Sequence, residues 1–293
     1  KQLKAFIMYR NWTTEEDNII RLKKRENEIW SDFVKREMSY RSVNSVRLHA
    51  IRCLNIHNHN AIYRKYHFDE SVFSKLTSES CYWAGFIAAD GCIVDAGGWK
   101  TLSIELSQVD VEHLRKFKEF VNFSGPIRLF KRREGWEHCG MRITKTDSRL
   151  FSDLKNNFSI TPRKTRTLQP PKINDDYLKF CFVVGFLDGD GTVCLNQRRK
   201  TLSINIVCAS HDFLSWLKSI VDPIVQPYKL RNVKRNVVRH GTDYWQYGIS
   251  GVGACALCEK VRSSKLPVLP RKWYRKELGN FIKDTIPKIQ IPV

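Results

Sequence analysis

The chain has 293 residues, with 50 Lys and Arg against 30 Asp and Glu, and its net charge of +20 favours a polyanionic partner, most simply a phosphate backbone. With 42% hydrophobic residues it can pack a core, which excludes global disorder. No run reaches the ~18 apolar residues of a membrane span, the N-terminal stretch lacks the apolar core of a secretory signal, and nine scattered cysteines point to reduced thiols rather than a disulfide framework.

Residues 1–66 read as a small helical module and linker. R-N-W-T-T-E-E-D (10–17) opens a helix with a capping box from Thr13 to Glu16, followed by apolar Ile19, Ile20 and Leu22. Trp30, Phe33 and Val34 mark a second helix, and residues 40–52 a third, with Val43, Val46 and Ala50 on its packed side. The spacing resembles the Myb/SANT three-helix domain, with Trp12 and Trp30 at core positions. By helix-turn-helix logic the third helix would enter a major groove with Arg41, Asn44, Arg47 and His49 outward; a packing role for the module is the alternative. Such a module would lengthen the recognised site and raise affinity by tethering. N-I-H-N-H-N (55–60) reads as a polar linker, since His57 and His59 have no spaced partner, and the domain boundary is expected between 55 and 75.

The rest of the chain repeats itself at an offset of 100. Y-W-A-G-F-I-A-A-D-G-C-I-V (82–94) matches F-V-V-G-F-L-D-G-D-G-T-V-C (182–194), and K-T-L-S-I-E-L (100–106) matches K-T-L-S-I-N-I (200–206). Leu114 and Leu214 fall in matching amphipathic stretches, a basic strand-like segment follows each (126–133 and 228–240), and T-P-R-K (161–164) is echoed by L-P-R-K (269–272). Each copy is expected to run helix, hairpin, helix, hairpin, helix, with residues 67–168 and 169–293 as two pseudo-symmetric halves. Cys255 and Cys258 read as thiols on the packed face of a late helix rather than a zinc site.

The segment Glu79–Ala89 is apolar almost all round, so its helix is buried. Gly85 and Ala89 lie four apart on one face, as do Gly185 and Gly189, which predicts close backbone approach of the twin helices. Gly91 and Gly191 are expected to end them as left-handed caps. Asp90 and Asp190 then stand at two neighbouring helix C-termini, where the dipoles and each other's charge disfavour carboxylates. A hard divalent cation resolves that conflict.

These paired segments resemble the LAGLIDADG motifs of homing endonucleases, in the monomeric two-motif form, over roughly residues 75–285. The resemblance implies an α+β fold, with two αββαββα halves forming a DNA-binding saddle behind the small helix-turn-helix-like domain. It implies Asp90 and Asp190 as metal-binding acids, joined by the backbone carbonyls of Ala89 and Gly189, with Mg²⁺ or Mn²⁺ as the working ion and Ca²⁺ binding without supporting cleavage. Lys164 and Lys272 match basic residues lining the family's active site, and Gln108 a water-positioning residue. Two positions depart from the pattern. Cys208 stands at the position matching Gln108, and Ala88 replaces an acid that Asp188 keeps at a mostly structural position.

For DNA contact, Lys229, Arg231, Arg235 and Arg239 share one parity of a strand, as do Arg128, Phe130 and Arg132, with Lys131 and Arg133 opposite. A charge-protected edge strand is the plainer alternative for 228–240. Arg198, Arg199 and Lys200 supply a basic hairpin tip. Two-stranded ribbons fit the major groove, while tip lysines touch phosphate. The expected activity is site-specific, metal-dependent double-strand cleavage of a long DNA target by a monomer, leaving short 3′ overhangs as the family does. An intron-RNA splicing maturase, or a non-cleaving regulator on the same scaffold, is the alternative. Lys1 and the terminal Ile291-Pro292-Val293 do not suit an intein. The expected location is intracellular, in a bacterial or phage cytoplasm or an organelle matrix, with no membrane partner.

Overall fold

The computed structural model describes residues 11–25, 28–54, 56, 66–96, 99–132, 135–145, 148–225, 234–239 and 242–285, with backbone alone for 234–239 and 242. Lys229, Arg231, Arg133, His57 and His59 lie outside the described residues. The chain divides into two compact units, 1–66 and 67–293. Among the described residues no helix is long and apolar enough to cross a membrane.

The first unit holds helices α1 (Thr14–Lys23), α2 (Trp30–Glu37) and α3 (Val43–Cys53). Thr13 closes the capping box on α1: Glu16 N donates to Thr13 Oγ1 (3.2 Å) and Thr13 N to Glu16 Oε2 (3.0 Å). Ile20, Trp30, Phe33, Val34, Met38, Val46, Ala50 and Leu54 form its core, with Trp12 and Ile19 packed against it. Leu22 and Val43, expected to join them, are exposed. Val43 is the first residue of α3, just after the capping Ser42, and lies off the Val46–Ala50 stripe.

Two residues expected to face outward point inward. Arg41 Nε and Nη2 each donate to the Glu16 carboxylate at 2.8 Å, and the guanidinium lies 4.4 Å over the Trp12 ring. His49 stacks on the other partner of that sandwich, its ring 3.9 Å from Trp12, and meets Asp17 Oδ1 at 2.6 Å. For Arg41 the cause is Glu16: capping buries it, and a buried carboxylate needs a cation. Asn44 and Arg47 remain exposed. Arg41→Ala is therefore expected to destabilise the module by about 3 kcal/mol, read as faster amide exchange across α1–α3 in the whole chain. Unchanged protection with weaker DNA binding would restore Arg41 to the groove.

The second unit runs α4 (Ser78–Asp90), β1 (Gly91–Ala96), β2 (Trp99–Ser107), α5 (Val111–Phe120), β3 (Arg128–Lys131), β4 (Glu137–Lys145) and α6 (Arg149–Phe158). The order then repeats as α7 (Asp176–Asp190), β5 (Thr192–Asn196), β6 (Thr201–Cys208), α8 (His211–Val225), β7 (Lys234–Arg239), β8 (Thr242–Ser250) and α9 (Val252–Ser263). Two more helices follow, α10 (Pro270–Trp273) and α11 (Lys276–Thr285). The sheets are antiparallel, ordered β1-β2-β4-β3 and β5-β6-β8-β7. Strand alternation buries Leu102, Ile104 and Leu106 in one and Leu202, Ile204 and Ile206 in the other. Leu114 on α5 and Leu214 on α8 are fully buried, as the matching stretches predict. Cys255 and Cys258 are free thiols buried on α9.

The halves are not strict copies. Gly91 pairs with Ile104 in the first hairpin, whereas Thr192 pairs with Asn205 in the second. The second register is slipped by two residues, which keeps every side chain on its face and lengthens the turn to hold Arg198, Arg199 and Lys200. On β7 the register shifts between Arg235, opposite Trp245, and Val237, opposite Tyr244. The two-residue alternation of the backbone pairing is broken there. β3 ends at Lys131, and Arg132, beyond it, is paired with Glu105 (2.7 Å).

Candidate active site

α4 and α7 pack on one another backbone to backbone. Thr77 caps α4 by accepting from Ser80 N (3.1 Å), and Asp175 caps α7 by accepting from Leu178 N (2.8 Å). A Cβ built on Gly85 would lie 2.8 Å from the Phe182 carbonyl carbon, and one on Gly185 2.8 Å from that of Tyr82. Each glycine thus seats the other helix's backbone, as the small-residue spacing predicts. Gly91 and Gly191 differ from expectation. Their φ values are −75° and −78°, extended rather than left-handed. Glycine is needed there for space: a Cβ would meet Ile87 O at 2.6 Å or Leu187 O at 2.5 Å.

This contact brings the two acidic helix ends together. A Cβ on Gly189 would lie 3.4 Å from Asp90 Cγ. Both carboxylates are open to solvent, yet the dense surroundings withhold part of their hydration. Desolvation, then the charge of Asp190, pushes the Asp90 carboxyl up to about 6, against the pull of Lys272 and Lys164. Desolvation raises Asp190 as well, opposed by the same lysines. Burial lowers both ammonium groups, while neighbouring carboxylates raise them: Asp190 first for Lys164, Asp188 first for Lys272. Lys164 Nζ donates to Gly91 O. Lys272 Nζ lies within 2.9 Å of the carbonyls of Leu187, Asp188 and Gly191, and 3.3 Å from that of Gly189.

The donor set fits a hard divalent cation. Among the described residues no group of three His, Cys, Asp or Glu is arranged for a metal, which leaves the two aspartates. Magnesium is commonly held by one or two carboxylates, with the remaining positions left to water and substrate phosphate. Desolvation first and the charge of Asp190 second raise the Asp90 carboxyl, and such an ion would relieve the repulsion between the two acids.

Asp90 holds its proton more tightly in the folded chain than at its ordinary 3.8. Stability from this group is therefore full below about pH 4 and lost as pH rises through about 6. In metal-free protein, Asp90→Asn should raise the thermal midpoint at pH 8 and leave it unchanged at pH 4. A gap independent of pH, or a lower midpoint at pH 8, would contradict this.

Gln108 sits in a 3-10 turn (Gln108–Asp110) and lines a surface cleft with Ser107, Val109, Trp136 and Glu137. Cys208, its counterpart, is buried at the end of β6, where burial and the charge of Asp190 raise the thiol. Arg128 and the Arg198–Lys200 turn are exposed. Sequence reasoning passed over Arg142, exposed opposite Ser103, and Asn205, which accepts from Gln246 Nε2 (3.2 Å) on the open face of the second sheet. Alternation within M-R-I-T and S-I-N-I carried that signal. Asp188 is structural: fully buried, it accepts from Tyr82 Oη and Trp273 Nε1, each at 2.5 Å.

No protein-family model and no curated protein sequence matches the chain. Among solved structures it is similar to the LAGLIDADG homing endonuclease I-LtrWI bound to target DNA, at 11% identity over 74% of this chain and 99% of that one, with a TM-score of 0.40. It is also similar to the LAGLIDADG homing endonuclease I-GzeII in complex with its DNA target (13%, 69% and 88%, TM-score 0.42). A third is I-SmaMI bound to uncleaved DNA in the presence of calcium ions (13%, 73% and 99%, TM-score 0.41). The likeness is distant.

Proposed function

We propose that the chain is a site-specific DNA endonuclease of the LAGLIDADG homing type, acting as a monomer on double-stranded DNA with Mg²⁺ or Mn²⁺. The observation that carries this reading is the meeting of two acidic helix ends, Asp90 and Asp190, across a contact that only glycine permits. Asp90 and Asp190 would hold the cation with the carbonyls of Ala89 and Gly189. When bound, the ion supplies Lewis-acid stabilisation of the charge that grows on a phosphate under attack. Lys164 and Lys272 add positive charge at the same helix ends. Gln108 would orient the attacking water in the first half, a role the Cys208 thiol fills poorly. The oxygen of water joins phosphorus and one of the two P–O bonds to sugar breaks, once per strand; the water gives up a proton to solvent, and the departing sugar oxygen takes one up and leaves as a hydroxyl.

The open sheet faces support duplex recognition. They present Arg128, Arg142 and Ser103 on one sheet and Asn205 and Gln246 on the other, donors and acceptors suited to base edges. The Arg198–Lys200 turn suits phosphate. In the first unit, Asn44 and Arg47 remain available to a groove, and the module would tether the enzyme to a longer site.

The test is to incubate the protein and Mg²⁺ with a randomised or genomic DNA pool and sequence the ends, beside a chelator control. The reading expects paired cuts with a short 3′ stagger at one recurrent sequence, lost with chelator. Tight binding of intron RNA with no cuts in any DNA would favour the maturase reading. Retained sequence-specific duplex binding without cuts would favour a regulator.

A further inference from the structure

The two Pro-Arg-Lys turns match in sequence, at 162–164 and 270–272, but not in structure. The second is gripped from three directions. Leu269 N donates to Asp188 Oδ2 (2.9 Å) and Trp273 Nε1 to Asp188 Oδ1 (2.5 Å). Arg271 closes on Asp110 with both ends of its fork, at 2.6 and 2.7 Å, joining the turn to the segment that carries Gln108. Tyr82 from α4 completes the set on Asp188 at 2.5 Å. Asp188 and Asp110 are both buried, so each depends on these partners.

The strap delivers Lys272 into the C-terminal end of α7. An ammonium has three N–H groups. Those of Lys272 face the carbonyls of Leu187 (2.9 Å), Asp188 (2.6 Å) and Gly191 (2.6 Å), and the side chain is buried. The amine is saturated by a helix end whose dipole it neutralises. It can reach a phosphate only by giving up bonds to buried carbonyls.

The first turn lacks every part of this grip. Ala88 stands in place of Asp188, Ser210 in place of Asp110, and Thr165 in place of Trp273. Ser210 Oγ donates instead to Leu168 O (2.7 Å). Arg163 is exposed, at φ 59°. Lys164 is half-buried, and among the described residues its amine donates to the Gly91 carbonyl, with N–H groups to spare.

We propose that the two lysines do different work: Lys164 is the one that meets phosphate, and Lys272 is a positioning residue that fixes the α7 end carrying Asp190, held in place by Asp188 and Asp110. The strands of a duplex are then cut in order, the one served by Lys164 first. The strand order rests on the nuclease reading; the division between the lysines does not.

Amine acylation of the metal-free whole chain, read by mass spectrometry, tests the division directly. Lys164 should react at least about tenfold faster than Lys272, since saturated, buried donors must first be released. Asp188→Asn, or Asp110→Asn should the former not fold, should raise the Lys272 rate and leave that of Lys164 unchanged. Equal rates in the wild-type chain, or a Lys272 still protected in a folded Asp110→Asn variant, would overturn the assignment.

Strand-resolved cleavage of a supercoiled plasmid tests the order. The expected result is a nicked intermediate cut on one strand. Exogenous alkylamine should restore that nick in Lys164→Ala and fail to restore activity in Lys272→Ala. Simultaneous cutting of both strands, or rescue of both variants alike, would contradict it. A plasmid left uncut counts against the nuclease reading, and the acylation rates then still decide the division between the lysines.

Discussion

Asp190→Asn is expected to lower cleavage by at least about a thousandfold while leaving duplex affinity within about threefold. The substitution keeps the shape of the α7 end and removes one of the two charges that meet there. Binding should survive, because the open sheet faces lie on other residues, among them Arg142 and Asn205. The variant should have a second signature. The charge of Asp190 is, after desolvation, the largest cause lifting Asp90. Removing it should lower the Asp90 carboxyl from about 6 towards its ordinary range, visible in a carboxyl-detected NMR titration. Full cleavage by this variant would remove Asp190 from the chemistry, and an unmoved Asp90 would show that the helix ends do not meet.

Gly185→Ala should be strongly destabilising. On helix propensity alone it would stabilise α7 by about 1 kcal/mol. The new Cβ, however, would lie 2.8 Å from the Tyr82 carbonyl carbon and 2.9 Å from Phe86 N, both backbone atoms of the opposing helix. Side chains can rotate away from a methyl group; two helix backbones must separate. The clash therefore wins, and the expected cost is about 3 kcal/mol or more, read from urea unfolding of the whole chain. Cleavage should fall with it, since the same contact sets the spacing of Asp90 and Asp190. A stability within about 1 kcal/mol of the parent would mean that propensity had won and the backbones are not in contact.

The helix contact was legible because it is local. Gly85 and Gly185 recur four residues before small neighbours inside helices that are apolar on every side, and few arrangements other than close approach suit such a surface. The succession helix, hairpin, helix, hairpin, helix was legible from alternation and from the doubled K-T-L-S-I; the order of the strands within each sheet was not read from the sequence. What escaped depends on partners far along the chain. Arg41 reads as an outward cation on its own helix, and its partner Glu16 lies 25 residues earlier, buried by its capping role. Arg271 and Asp110 stand 161 residues apart, so nothing in P-R-K distinguishes the gripped turn from the loose one. Gly91 and Gly191 look like left-handed caps because glycine commonly serves there; the need was space beside Ile87 and Leu187, a tertiary fact. The irregularity on β7 carries no proline or glycine to announce it.

A crystal of the protein with the duplex selected from the DNA pool, soaked in Mn²⁺ and measured at the manganese absorption edge, bears most directly on whether Asp90 and Asp190 form one cation-binding centre on DNA. The paired helix ends predict anomalous density within about 2.2 Å of carboxylate oxygens of both residues, against the phosphates of the cut site. Manganese seated elsewhere on the complex, or the two carboxylates turned apart with no ion against either, would contradict it.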